Sequence, residues 1–118
     1  MPDGFVLPPD YNVAPTTFQP VIRGSTALES RELVMMRWGM VLNFATCLAD
    51  FKGISTINAK AETLQSSVTW RVPFQGRRYL LPTDGFYEWK KLNDKNRQSY
   101  AFMMKDECPF AIAGLRDA

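Results

Sequence analysis

The 118-residue sequence contains no histidine and only two cysteines, Cys47 and Cys108. Without histidine, the chain lacks the commonest metal ligand and the commonest general base. Two cysteines alone cannot form a cysteine zinc site, and lone thiols in a chain without an export signal are usually reduced. We therefore expect no metal, no cofactor and no structural disulfide.

The sequence also lacks a long apolar run and a strong charge of either sign. Its longest apolar stretch, near residues 33–44, is interrupted by Arg37 and Asn43, so no membrane span is predicted. The opening MPDG shows no basic region followed by an apolar stretch, which predicts no secretory signal and a cytoplasmic location. The net charge of +2 is too small to indicate nucleic-acid binding by itself, although a local basic patch remains compatible with it.

The composition that is present is typical of a soluble globular protein, with 46% hydrophobic and 22% charged residues. A chain of this length fits one domain, residues 1–118. Short β-forming stretches lie at residues 20–23, 32–42, 77–81, 85–91, 98–105 and 110–115. Residues 32–42 are apolar on both faces, as expected for an interior strand.

One helix is predicted over residues 59–70, with Asn58 as its N-cap and a stop before Pro73. Several short strands with one dominant helix indicate an α+β domain, built on a curled or barrel-like antiparallel sheet with one main helix.

Glu88 is the residue most in need of an explanation, because it lies inside an aromatic strand, GFYEWKK at residues 85–91. The period of two places Phe86 and Glu88 on one face. A carboxylate beside aromatic rings loses hydration, which suits proton transfer. The alternative is an exposed glutamate paired with Lys90, Lys91 or an arginine of a neighbouring strand.

Three strings carry a family resemblance. They are YNVAPTT at residues 11–17, WG at 38–39 followed by INAKAET at 57–63, and DGFYEWK at 84–90. In this order they resemble the SOS-response-associated peptidase (SRAP) domain of abasic site processing proteins, over residues 11–115. The resemblance implies an enzyme of the DNA damage (SOS) response that binds single-stranded DNA at abasic sites. It also implies a covalent thiazolidine crosslink to DNA, self-peptidase activity, and association with the nucleoid when DNA is bound.

By the same resemblance, Asn58 and Glu88 are the catalytic residues: Asn58 orients the sugar or the amine, and Glu88 transfers protons. The implied DNA-binding residues are Asn12, Pro15, Trp38, Phe44, Lys60, Arg77 and Arg78.

Each of these assignments has a structural alternative. Asn58 at a helix start can cap free N–H groups, worth about 1 kcal/mol. Trp38 and Phe44 can be core aromatics, although an aromatic ring can also stack on an unpaired base. Arg77 and Arg78 can merely flank a sheet edge.

Two departures from the family pattern limit the expected activity. Position 2 is Pro2, where the family begins Met-Cys-Gly-Arg, and the family's C-terminal histidine motif has no counterpart here. Cys47 and Cys108 cannot replace the family's nucleophile, because their nitrogens lie in peptide bonds. We therefore expect an incomplete, central SRAP-like domain, truncated at both ends. A non-catalytic module that binds single-stranded or damaged DNA and a β-rich interaction fragment are the alternatives.

Overall fold

The computed structural model describes residues 6–25, 29–41 and 56–117. Within these ranges the chain is mostly antiparallel sheet with one α-helix, which confirms the predicted α+β class. The elements are β1 (Phe18–Gly24), β2 (Arg31–Arg37), a 3-10 helix (Ala61–Thr63), α1 (Arg71–Gly76), β3 (Arg78–Thr83), β4 (Gly85–Lys91), β5 (Arg97–Met103) and β6 (Phe110–Leu115).

Four strands form one sheet in the order β2-β1-β3-β6. The hairpin β1–β2 and the pair β3–β6 meet where Ile22 lies opposite Leu80. The registers continue this row to Leu33 on β2 and Ala113 on β6, so one apolar row crosses all four strands. In the described part of the chain β2 is an edge strand. The predicted interior position is therefore not seen for β2 in the described ranges, although the strand is apolar on both faces as predicted.

The strands β4 and β5 form a separate two-stranded hairpin, paired from Gly85↔Met103 to Lys91↔Arg97. A Cβ atom on Gly85 would lie 2.6 Å from the carbonyl oxygen of Phe102, so only glycine fits there. At the other end, the side-chain oxygen of Asn93 accepts hydrogen bonds from the backbone N–H groups of Lys95 and Asn96. This Asx turn closes the hairpin.

The predicted helix over residues 59–70 is wrong. The stretch contains the short 3-10 helix followed by turns, and α1 begins only at Arg71. Serine side chains compete for backbone acceptors there, since the Ser66 hydroxyl donates to the Thr63 carbonyl at 3.4 Å. Pro73 lies in the first turn of α1, where a missing N–H costs little because these groups have no intrahelical acceptor.

Among the described residues, Val21 and Met40 are buried apolar side chains, at 2% and 8% exposure, and Pro73 of α1 is buried as well. Large apolar side chains instead remain exposed on both sheets. In the described part, the sheets do not close into a barrel. The described ranges also hold no helix with the length and apolarity needed to cross a membrane.

Candidate functional site

An open cavity of about 1390 Å³ lies against the four-stranded sheet. Strands β1, β2, β3 and β6, the segments around Trp38 and Asn58, and the start of β4 line it. Four residues predicted from the sequence are part of this lining: Trp38, Asn58, Arg78 and Glu88. The fold thus brings the two predicted catalytic residues to one concave surface.

Trp38 fixes the backbone that leads into Asn58. Its indole Nε1 donates a hydrogen bond to the carbonyl oxygen of Ile57 at 2.7 Å. Gly39 follows with φ of 110°, a conformation that favours glycine, and allows the chain to turn at this point. A second hydrogen bond joins the same two segments, because the Thr56 hydroxyl donates to the Met40 carbonyl at 2.6 Å.

The first motif string is held against the same tryptophan. The backbone N–H of Thr16 donates to the Trp38 carbonyl at 2.8 Å, and the Trp38 N–H donates to the Thr17 carbonyl at 2.9 Å. Pro15 precedes Thr16, whose φ of 74° is unusual for a β-branched residue. Proline followed by a positive φ is the pattern of a type II turn. Pro15 is therefore a turn residue that shapes the approach to Trp38.

Asn58 does not cap a helix. The N-cap positions of the 3-10 helix and of α1 are Lys60 and Trp70. The Asn58 side chain is exposed and, among the described residues, has no hydrogen-bond partner. The capping alternative is therefore wrong, and Asn58 lies in the cavity lining.

Glu88 lies on an aromatic face of the hairpin. Its register partner on β5 is Tyr100, and the adjacent pair Phe86 and Phe102 is stacked with ring centroids 5.3 Å apart. Phe86 also meets Phe110 of β6 edge-on at 6.4 Å. The strand and the facing direction predicted for Glu88 are confirmed.

Glu88 forms no ion pair with any described residue. Lys91, one of its expected partners, bonds instead to Asp94 at 2.9 Å. The reading of Glu88 as half of a surface ion pair therefore has no support in the described part of the chain.

The two adjacent arginines occupy different positions. Arg77 forms an ion pair with Asp117 at 3.1 Å and does not line the cavity, whereas Arg78 does. Lys60 and Asn12 are exposed outside the lining, and the Asn12 N–H bonds to the Asp10 carboxylate at 3.1 Å. Phe44 lies outside the described residues.

Sequence reasoning missed most of the positive charge of the cavity. The lining contains five arginines against two carboxylates, Glu88 and Asp117; the arginines are Arg23, Arg31, Arg37, Arg78 and Arg116. Arg23 is neutralised by Glu32 at 2.6 Å. The sequence held one indication of this positive charge: Arg31 and Arg37 lie at the two ends of the apolar strand β2.

Tyr79 is a further cavity residue that the sequence did not reveal. Its ring covers Gly114 on the neighbouring strand, which leaves no room for a side chain there. Burial raises the pKa of Tyr79 above its usual value. Like any tyrosine, Tyr79 is protonated at neutral pH and can donate a hydrogen bond, and its raised pKa extends the protonated form to higher pH.

The described ranges contain no cluster of three or more His, Cys, Asp or Glu side chains able to hold a metal ion. Cys108 is an exposed free thiol. The cavity lining instead offers amide, carboxylate, phenol, indole and guanidinium groups. Such a set suits an anionic substrate that needs proton transfer.

The sequence profile described as SOS response associated peptidase (SRAP) matches residues 2–118. The chain belongs to the SRAP family. Abasic site processing protein YobE of Bacillus subtilis is 37% identical over 91% of this chain and 47% of its own length. Abasic site processing protein HMCES of Mus musculus is 28% identical over 93% of this chain and 33% of its own length.

Solved structures agree with this SRAP membership. A phage-related protein from Bordetella bronchiseptica superposes with a TM-score of 0.75 at 28% identity, covering 94% of this chain and 49% of its own. A protein from Bacteroides thetaiotaomicron gives 0.70 at 26% identity, over 85% and 41% of the two chains. This chain thus spans less than half the length of these relatives.

Proposed function

We propose that this chain forms part of an abasic site processing protein and binds single-stranded DNA that carries an abasic site. The observation that carries the proposal is one cavity lined by Asn58, Glu88 and more arginines than carboxylates. The names of the SRAP relatives support the substrate. Binding would be expected at the nucleoid, where such DNA occurs.

Charge and aromatic surface account for the binding step. Arg31, Arg37 and Arg78 can contact phosphates of the DNA backbone, and release of counterions would drive the association. Trp38 uses its N–H for the Ile57 carbonyl, which leaves the ring face for an unpaired base. Stacking of this kind is worth about 1 to 3 kcal/mol per base and favours single strands.

Asn58 and Glu88 suit the chemistry of an abasic sugar in its open form, which carries an aldehyde. An amine attacks the aldehyde carbon, a proton moves from nitrogen to oxygen, and water leaves to give an imine. Glu88 would protonate the departing hydroxyl, and the Asn58 amide would hold the sugar hydroxyl and the amine together. A neighbouring thiol then adds to the imine carbon and closes the thiazolidine.

The 118 residues do not supply both groups of the nucleophile on one residue. Position 2 is Pro2, and the nitrogens of Cys47 and Cys108 lie in peptide bonds. The crosslink and the associated self-peptidase reaction would therefore need an N-terminal cysteine from outside these residues. Without it, the cavity would act as a non-catalytic module that binds single-stranded or damaged DNA, which is the second candidate.

Two measurements test the proposal. Fluorescence anisotropy at several salt concentrations should show tighter binding of abasic single-stranded DNA than of an intact duplex. In a version of the chain extended to begin Met-Cys-Gly-Arg, Glu88→Gln should slow crosslinking about 100-fold or more while binding persists. Glu62→Gln, an acidic residue on the 3-10 helix outside the cavity, is the matched control.

The outcomes separate the candidates. Failure to bind any single-stranded DNA at low salt would reject both of them. Binding without crosslinking in the extended version would leave only the non-catalytic module.

A further inference from the structure

The first motif string, YNVAPTT at residues 11–17, takes no part in the proposed chemistry. Two of its residues were predicted to bind DNA, yet Asn12 lies outside the cavity lining and Pro15 belongs to a turn. Val13 is the one residue of the string in the lining. The string makes backbone hydrogen bonds to both of the other motif strings, which indicates a structural connection between them.

One end of the string is bonded to the half of the site that carries Asn58. The backbone N–H of Thr16 donates to the Trp38 carbonyl at 2.8 Å, and the Thr17 carbonyl accepts from the Trp38 N–H at 2.9 Å. The Trp38 indole in turn donates to the carbonyl oxygen of Ile57, the residue before Asn58. Consecutive hydrogen bonds therefore join this end of the string to the Asn58 segment.

The other end of the string is bonded to the half of the site that carries Glu88. The Tyr87 hydroxyl donates to the Tyr11 carbonyl at 2.9 Å, between residues 76 positions apart in the sequence. Tyr87 directly precedes Glu88 on β4. In the described ranges, β4 and β5 pair with each other and not with the four-stranded sheet, so side-chain contacts such as this one fix the position of the hairpin.

Hydrogen bonds within and beside the string stiffen it between these two ends. The Thr17 hydroxyl donates to the Ala14 carbonyl at 2.6 Å. The Asp10 carboxylate accepts from the Asn12 N–H at 3.1 Å and from the Gln19 side-chain amide at 3.4 Å. Gln19 belongs to β1, so the string is also anchored to the sheet. A stiff, hydrogen-bonded segment can couple the groups at its two ends.

We infer that residues 11–17 form a brace between the two halves of the candidate site, and that Tyr87 is a positioning residue for Glu88. The brace keeps the β4–β5 hairpin at a fixed distance from the segment that carries Asn58. Misplacement by about 1 Å can slow a reaction about 100-fold, so a fixed distance matters for a reaction that uses both residues. The consequence for catalysis rests on the proposed function, whereas the brace itself does not.

A contact between the Tyr87 ring and DNA is the competing explanation for this residue. The side chain is 58% exposed, so its ring could also stack on an unpaired base. Stacking uses the ring, whereas the brace uses the hydroxyl. Tyr87→Phe keeps the ring and removes the hydroxyl, so it separates the two roles. Tyr11→Phe is the matched control, because the bond uses the backbone carbonyl of Tyr11 and the side chain is 79% exposed.

The brace can be tested without DNA on the 118-residue chain. Residual dipolar couplings of backbone N–H groups, measured by NMR, report the orientation of the hairpin relative to the four-stranded sheet. In wild type, we expect the couplings of β4 and β5 to fit the same alignment as those of the sheet. Tyr87→Phe should change the couplings of the hairpin and leave those of the sheet unchanged. Tyr11→Phe should leave both sets unchanged.

Crosslinking tests the consequence for Glu88, in the version of the chain extended to begin Met-Cys-Gly-Arg. Loss of the hydrogen bond in Tyr87→Phe should slow adduct formation at saturating abasic single-stranded DNA about three- to tenfold, with the Kd unchanged. Because Tyr87 acts through Glu88, the double variant Tyr87→Phe with Glu88→Gln should be no slower than Glu88→Gln alone. Tyr11→Phe should crosslink as wild type does.

The two measurements separate the brace from the proposed function. Unchanged hairpin couplings in Tyr87→Phe, or the same change in Tyr11→Phe, would overturn the inference. Slowing of the double variant by the product of the two single effects would remove the positioning role, and so would weaker DNA binding by Tyr87→Phe at an unchanged rate. If the extended wild type forms no adduct, the proposed crosslinking fails, and the couplings alone decide whether the brace exists.

Discussion

The indole Nε1 of Trp38 lies 2.7 Å from the carbonyl oxygen of Ile57 and donates a hydrogen bond to it. This bond joins the end of β2 to the segment that carries Asn58, across a stretch of chain outside the described residues. It gives Trp38 a positioning role besides the proposed contact with DNA. The two roles can be separated by substitution.

Trp38→Phe should keep an aromatic ring but lose the donor. The Ile57 carbonyl then lacks its partner, which we expect to cost about 1 to 2 kcal/mol in the free energy of unfolding. Urea denaturation measures this cost. Trp70→Phe is the matched control, because the Trp70 indole donates no hydrogen bond to a described residue. Equal stability of the Trp38 variant and wild type would show that the bond does not position the segment.

Arg78→Gln should weaken binding of single-stranded DNA and reduce its salt dependence. Loss of one phosphate contact lowers the slope of log K against log salt by about 0.7 for a single strand. Lys95→Gln, in the exposed hairpin loop outside the cavity, removes the same charge and should leave the slope unchanged. If both variants change the slope equally, DNA binding depends on the total positive charge of the chain and not on the cavity.

Gly114→Ala should destabilise the four-stranded sheet, because the new methyl group would overlap the ring of Tyr79. Overpacking of this kind costs about 1 to 3 kcal/mol. Gly24→Ala on β1 is the control, since a Cβ atom there meets nothing within 4 Å. Thermal or urea unfolding distinguishes the two variants. The double variant Tyr79→Ala with Gly114→Ala should recover part of the loss attributable to the clash.

The pH dependence of stability should also report on Tyr79. Because burial raises its pKa in the folded state above the usual 10.0, the unfolded chain loses the phenol proton first as pH rises. The contribution of Tyr79 to the free energy of unfolding is therefore fully present below pH 10.0 and is lost as the pH rises above it. Urea unfolding at pH 8 and pH 10.5 should show a smaller loss for Tyr79→Phe than for wild type. Identical losses would mean that Tyr79 is solvated.

The strands were more predictable than the helix. The predicted bounds of β4 and β6 agree with the structure, because strand-forming residues lie between turn residues: Phe86, Tyr87 and Trp89 in β4, and Phe110 and Ile112 in β6. The helix over residues 59–70 was predicted from propensity, with Asn58 as its N-cap and Pro73 as its limit, and propensity is a weak prior where no apolar face packs the segment. Pro73 was taken as a stop, although the first turn of a helix tolerates proline.

The candidate site was predictable mainly where a motif string marks it; Arg78 is the one predicted lining residue outside these strings. Asn58, Glu88 and Trp38 belong to such strings and do line the cavity. Arg37 and Arg116 do not, because their place in the lining follows from the sheet order β2-β1-β3-β6. Sequence spacing carries no information on which strands become neighbours when the pairing joins distant parts of the chain.

The last prediction concerns the nucleophile. The 118-residue chain should form no heat-stable adduct with abasic single-stranded DNA, because none of its residues combines a free amine with an adjacent thiol. After removal of Met1, Pro2 would offer a secondary amine, which can attack the aldehyde and form an iminium. That bond hydrolyses unless borohydride reduces it. Denaturing electrophoresis with and without borohydride therefore distinguishes the two kinds of adduct.

A version extended to begin Met-Cys-Gly-Arg is the informative comparison for this prediction. Once its initiator methionine is removed, the terminal cysteine supplies both groups, so a heat-stable adduct should form without reductant if the cavity orients the aldehyde. Proximity provides much of the rate of such condensations, so Glu88→Gln and Asn58→Ala should slow the reaction. A stable adduct from the original chain without reductant would contradict the assignment of the nucleophile. An adduct from the extended chain that neither substitution slows would place the chemistry outside this cavity.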